Sequence, residues 1–234
     1  MAARLPSYPP PHPNITIESQ PQTPPIELPP AYAVVDEKAT NYTIYGTFIH
    51  TPSGPAYQLS SLLDACISRL CIRRLRAEEV TRLQNGAPNV AFDNSSVLYE
   101  AHDPPDLLNE YYISGKQSSC LPGVLQMRFG LRRWHVQHLP DKWAKANNLM
   151  TCGKRGTFSR VLKERRNEME PSEWKDSEGH VLATEVLKIV DGGKMPTIEL
   201  REGLDQTCRE LLLALWVTRL WAALGASPRL MYLG

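Results

Sequence analysis

Apolar positions recur along this chain in two rhythms: short runs rich in β-branched and aromatic residues, each cut off by Gly, Pro, Asn or Asp, and one long unbroken stretch near the end. The first short run, Tyr42 to His50 (YTIYGTFIH), predicts a strand that stops at the turn cluster TPSGP. Ser96 to His102 (SVLYEAH) predicts another, stopped by DPP. Met127, Phe129 and Leu131 alternate with Arg128, Gly130 and Arg132, but Trp134 and Val136 continue the pattern one residue out of step. A β-bulge near Arg132-Arg133 would produce that slip. Residues 141 to 156 carry no clear period and are expected to be irregular, whereas Thr157 to Val161 reads as a strand. Glu173 to Val190 predicts a hairpin around Asp176-Ser177-Glu178-Gly179, and DGGK turns the chain again. From Thr197 to Arg201, Ile198 and Leu200 point one way while Thr197, Glu199 and Arg201 point the other.

Residues 57 to 83 fit two templates. Leu59, Leu62, Leu63, Cys66, Ile67 and Leu70 fall at helical spacing, yet Leu70 to Leu75 also reads as a short strand. Gln84 to Pro88 (QNGAP) then forms a loop.

The long stretch, Leu204 to Leu224, predicts a helix. It carries Asp205 in its first turn and is followed by Gly225 and Pro228, residues suited to helix ends. From Leu211 onward nearly every position is apolar, so no face of this helix suits water. The run is too short to cross a bilayer, which takes roughly 20 apolar residues, and it contains Arg219. Burial inside protein follows. The fold expected is mainly β: a closed or nearly closed β-barrel around a buried hydrophobic C-terminal helix at about 204–225.

Composition adds limits. Of the 20 prolines, ten fall before residue 39, and aliphatic residues are sparse there. Residues 1–38 are therefore expected to be a disordered, extended arm with polyproline II character, and 39–234 the barrel domain. The net charge of +1 gives no global basic field to gather nucleic acid. The five cysteines are odd in number and fit no paired zinc pattern, which predicts free thiols in a reducing compartment. The N-terminus lacks the apolar core of a signal peptide, so a cytoplasmic location, peripheral to a membrane in one reading, is expected.

Several segments carry a family likeness: Tyr42 to His50 with the following AYQLSSLL, then EWKDSEGHVLATEV, the strand MPTIELR, and the terminal LLLALWVTRLW. Over about residues 41–226 the chain resembles the tubby C-terminal-like superfamily, which includes LURP-one-related proteins and phospholipid scramblases, and it is similar to fungal members in its opening. The resemblance implies a barrel of roughly twelve strands around a central hydrophobic C-terminal helix, and contact with phospholipids. None of tubby's phosphoinositide-contacting positions carries over residue by residue. Scramblases share a proline-rich N-terminal arm, but their calcium-linked segment has no counterpart here.

Two candidate sites follow, neither catalytic. Pro29, Pro30 and Tyr32 form PPAY, the PPxY pattern whose proline ridges and tyrosine dock on the aromatic groove of a WW domain. The second is basic: Arg132 and Arg133 with Lys154, Arg155, Lys163, Arg165 and Arg166 would hold an anionic lipid head group if the fold brings them together. The competing reading is solvated faces neutralised by Glu164, Glu168 and Glu170. His135 and His138 have HxxH spacing, but on a strand they would face opposite sides and could not share a metal. Gly-Lys pairs at Gly153 and Gly193 lack the rest of a phosphate loop, no GxSxG is present, and the five tryptophans are expected in packing roles. The expectation is a non-enzymatic binding or adaptor protein without cofactor, recruiting a WW protein; the alternative is a peripheral phospholipid-binding protein.

Overall fold

The structure is a computed structural model that describes residues 38–87, 89–104, 107, 110–131, 133–141, 145–154, 172–190 and 193–225, with residues 154, 187–190 and 193–194 described by backbone alone. Twelve strands follow in order: β1 (Asn41–Tyr45), β2 (Phe48–Thr51), β3 (Gly54–Leu59), β4 (Arg69–Arg74), β5 (Val97–His102), β6 (Glu110–Gly115), β7 (Val124–Gly130), β8 (Arg133–Leu139), β9 (Asn147–Lys154), β10 (Ser172–Asp176), β11 (Val181–Val190) and β12 (Gly193–Leu200). A short helix α1 (Ala77–Gln84) separates β4 from β5, and α2 (Gln206–Leu224) ends the described chain. Each strand pairs antiparallel with the next, and β12 closes on β1 through Asn41↔Glu199, Tyr42↔Ile198 and Thr43↔Thr197. Closure removes both sheet edges.

The helix runs inside this barrel. Leu211 to Thr218 are buried without interruption, as are Leu220 and Trp221. Its side chains reach strands on opposite arcs: Glu210 meets Tyr57 of β3 and Arg74 of β4, Trp221 meets Tyr111 of β6, and Arg219 meets Ser172 of β10 and Glu185 of β11. Only an enclosed helix can do this. Asp205 caps its start by accepting from the Cys208 backbone N–H at 2.8 Å. Strand alternation supplies the matching lining, with Tyr42, Ile49, Leu59, Leu70, Ile113, Met127, Val136, Trp174 and Ile198 all buried in one core. The expected barrel around a C-terminal helix is therefore present.

Three local expectations need correction, and one open reading is decided. Tyr42 to His50 is not one strand but a hairpin, reversed at Gly46, whose φ of 58° lies in the left-handed region. The phase slip after Leu131 is a hairpin too: Gly130 pairs with Arg133, and Leu131 takes φ 50° at the tip. Reversal, not a bulge, restarts the alternation. Part of the stretch expected to be irregular is β9, where Met150 and Cys152 face the core opposite Val136 and Trp134. Of the two templates open for residues 57 to 83, the strand at Leu70 to Leu75 is the one present, as β4; β3 ends at Leu59, the residues between form no helix, and α1 follows β4. The strand expected at Thr157 to Val161 and the arm before Lys38 lie outside the described residues.

A meander has two rims. The connections β1–β2, β3–β4, β5–β6, β7–β8, β9–β10 and β11–β12 gather at one, here called the upper rim, where α2 also ends. At the lower rim lie the other connections, α1 and the start of α2.

Candidate functional site: the upper rim

Eight large apolar side chains are the most exposed among the described residues, and six of them stand at the upper rim. Leu131 is 95% exposed at the β7–β8 tip. Tyr45, Leu62, Leu107, Phe129 and Leu224, from four other connections or strand ends and the last turn of α2, are 40% to 65% exposed. The remaining two, Val124 and Val181, begin strands at the lower rim and are each 37% exposed. Scattered exposed apolar residues are normal on any surface; their gathering on one rim is not.

Leu131 is also the one described non-glycine residue with positive φ. The left-handed region costs an L-residue about 1–2 kcal/mol, and hairpin tips usually give such positions to Gly, Asn or Asp. A leucine there is strained and bare at once.

Charge follows the same polarity. Among the described residues, Arg69, Arg128, Arg133, Lys154, Lys188 and Lys194 belong to strand segments near the upper rim, against the carboxylates Asp64, Asp103, Glu110 and Glu173. Glu110 is already engaged: the Tyr112 hydroxyl and, at 2.6 Å, the Gln126 amide donate to it, holding its carboxyl below the usual range. Of the seven basic positions expected to bind lipid, the structure places two. Arg133 on β8 pairs with Gly130 on β7 and lies opposite Gly153 on β9, where a Cβ would come within 3.0 Å of the Arg133 side chain. Lys154 is the next residue on β9. Arg132, Arg155, Lys163, Arg165 and Arg166 lie outside the described residues, as do Pro29, Pro30 and Tyr32. The connection carrying Arg155 to Arg166 nonetheless starts and finishes at the upper rim, because β9 ends and β10 begins there.

The charges within the barrel are tied into its architecture. Glu210 accepts from Arg74 Nε at 3.1 Å and from Tyr57 Oη at 3.4 Å near the lower rim. Toward the upper rim Glu185 pairs with Arg219 and accepts from Trp174 Nε1 at 2.5 Å, while Arg219 also donates to Ser172 Oγ at 3.1 Å. Burial raises the Glu185 carboxyl above its ordinary value although Arg219, Trp174 and Cys152 oppose the shift. On the outer face, Arg73 is wholly buried beneath α1; it forks onto Glu79 with two 2.8 Å bonds and donates to Gln58 and to the Ala91 carbonyl. None of these networks was anticipated from the sequence. Arg219 inside an apolar run was the one visible sign, since a charge there demands a partner.

His135 and His138 are three apart on β8, and His138 Nε2 bonds the Pro122 carbonyl at 2.7 Å. Among the described residues no three His, Cys, Asp or Glu side chains converge as a metal site, and all five cysteines are unbridged. Trp174, Trp216 and Trp221 are core, and Trp134 packs against it. No helix among the described residues is long and apolar enough to cross a membrane. No protein-family model matches the chain, and no curated protein or solved structure matches it either.

Proposed function

We propose that this is a non-enzymatic, tubby-like binding protein that docks by its upper rim on anionic phospholipid surfaces. The observation that carries this reading is the rim itself: six exposed apolar side chains, one of them strained, beside a majority of basic positions. Apolar tips enter the head-group region while flanking Arg and Lys meet anionic lipid, and two weak signals together anchor what neither holds alone. What supports the tubby-like assignment is the closed twelve-strand meander around a C-terminal helix, the architecture that family has. What supports a non-catalytic barrel is that its internal acids and bases hold the helix to the wall. Co-sedimentation of the full chain with vesicles tests the reading. Binding to phosphatidylserine-containing vesicles that weakens as salt is raised is expected. Equal binding to purely zwitterionic vesicles, or none to either, overturns it.

A second role rests on PPAY at Pro29, Pro30 and Tyr32, which makes the protein an adaptor carrying a WW-domain partner to the surface it occupies. A peptide of residues 20–40 is expected to bind a PPxY-reading WW domain and to lose that binding with Tyr32→Ala; equal affinity of the two peptides removes this role.

A further inference from the structure

The β1–β2 hairpin carries three aromatic rings on its outer face. Ile44 and Ile49 point into the core, so alternation turns Tyr45, Phe48 and His50 outward. Tyr45 and Phe48 are register partners at the tip, and His50 follows two residues after Phe48. The His50 ring stands nearly perpendicular to both: 81° to Tyr45 with centroids 6.3 Å apart, and 82° to Phe48 with centroids 6.4 Å apart. Two perpendicular rings whose faces share a corner hold a cation equally when its distance from each is the centroid separation divided by √2. Here that distance is about 4.5 Å, inside the roughly 6 Å reach of a cation–π contact.

We propose that this trio binds the quaternary ammonium of a choline head group. A trimethylammonium group has no N–H to donate and spreads its charge over methyl groups, so it is held by ring faces rather than by hydrogen-bond acceptors. Tyr45 is 65% exposed and open to such a ligand. His50 does not repel it. Burial holds the imidazole below its ordinary value, and Nε2 is buried without a hydrogen-bond partner among the described residues, an arrangement that penalises the charged ring. Choice of a lipid as the source of choline rests on the reading of the upper rim as the membrane face. Tyr45 is one of the six bare side chains of that rim, so the trio meets the head-group layer when the tips enter it. The phosphate that accompanies choline in a phospholipid leaves the head group neutral overall, so the basic positions of the rim do not expel it.

NMR titration of the full chain with glycerophosphocholine tests the site without a membrane. Saturable binding is expected. Glycerophosphoethanolamine, equal in charge but with a strongly hydrated primary ammonium, should bind at least about threefold more weakly. Tyr45→Leu changes an exposed residue, removes one ring face and keeps an apolar tip. It should weaken glycerophosphocholine at least about threefold while docking on phosphatidylserine-containing vesicles persists, and Tyr45→Phe should keep native affinity. Leu131→Asn should do the reverse, weakening vesicle docking and leaving glycerophosphocholine unchanged, so failure of the rim and failure of this site are separable. Absence of saturable glycerophosphocholine binding, equal binding of the ethanolamine compound, or a folded Tyr45→Leu protein with unaltered affinity overturns the proposal. A trimethyllysine peptide that binds more tightly than glycerophosphocholine overturns the assignment to lipid.

Discussion

Leu131→Asn should make the protein more stable and worse at binding membranes. The native leucine holds φ 50° with its side chain 95% exposed, so the folded state gains little from its packing and carries the left-handed strain. Asparagine visits that region readily because its short polar side chain bonds locally. Relief of roughly 1 kcal/mol is expected, a rise in melting temperature of about 2–4 °C for a domain of this size. On the membrane the sign reverses. Transferring a leucine side chain out of water is worth about 1.5–3 kcal/mol, so losing it weakens vesicle binding by at least about tenfold.

Leu131→Ile separates the two effects. It keeps the apolar surface but places a β-branched residue at positive φ, where the side chain clashes with its own backbone. Stability should fall while vesicle affinity stays near that of the native chain. Urea unfolding followed by tryptophan fluorescence reads the first quantity, and co-sedimentation with phosphatidylserine-containing vesicles reads the second. If Leu131→Asn is no more stable than the native protein, the strain argument is wrong. If it binds vesicles equally well, the rim is not the docking surface.

Other perturbations address the interior. Because the folded Glu185 carboxyl is raised by burial, its contribution favours folding below the unfolded value of about 4.3 and is lost as pH rises through the folded value. Urea midpoints should therefore show the native protein losing ground to Glu185→Gln between pH 4 and pH 7; a gap that does not change with pH would refute this. Arg73→Met leaves Glu79 without its fork and Gln58 without its donor, and should cost about 3–5 kcal/mol, visible as a melting temperature lower by on the order of 10 °C. Gly123→Ala should be strongly destabilising, since φ is 94° and the added Cβ would stand 2.5 Å from the Leu139 carbonyl oxygen; a melt within 1 °C of native would show that the β6–β7 turn relaxes at little cost.

How far the sequence revealed this fold depends on what each residue must satisfy locally. The helix was legible because fourteen consecutive positions from Leu211 to Leu224 offer almost no polar face, and a helix of that kind has to be enclosed. Strands β5, β10, β11 and β12 were legible from alternation or from the Asp176–Gly179 turn. Two of the errors share one cause. At Tyr42 to His50 and again at Leu125 to Val136, a tight hairpin joins two strands with almost no polar punctuation, so the apolar pattern runs straight through a reversal. Gly46 gave a signal in the first case. In the second a leucine occupies the position where turn chemistry calls for glycine or asparagine, and the reversal was hidden by the same residue that marks the rim.

The rim was illegible for a geometric reason. Its apolar members come from Tyr45, Leu62, Leu107, Phe129, Leu131 and Leu224, which span nearly the whole domain, and each alone is an ordinary exposed residue. A meander barrel brings every second connection to one end, so these residues share an end only once the strand count and closure are fixed. Sequence reading favoured the basic runs instead, because like charges cluster along the chain as well as in space. Arg133 and Lys154 belong to both descriptions: 21 residues apart in sequence, the first packs its side chain against Gly153 and the second follows Gly153 on β9. The proposed docking surface therefore resides in the topology rather than in any single segment.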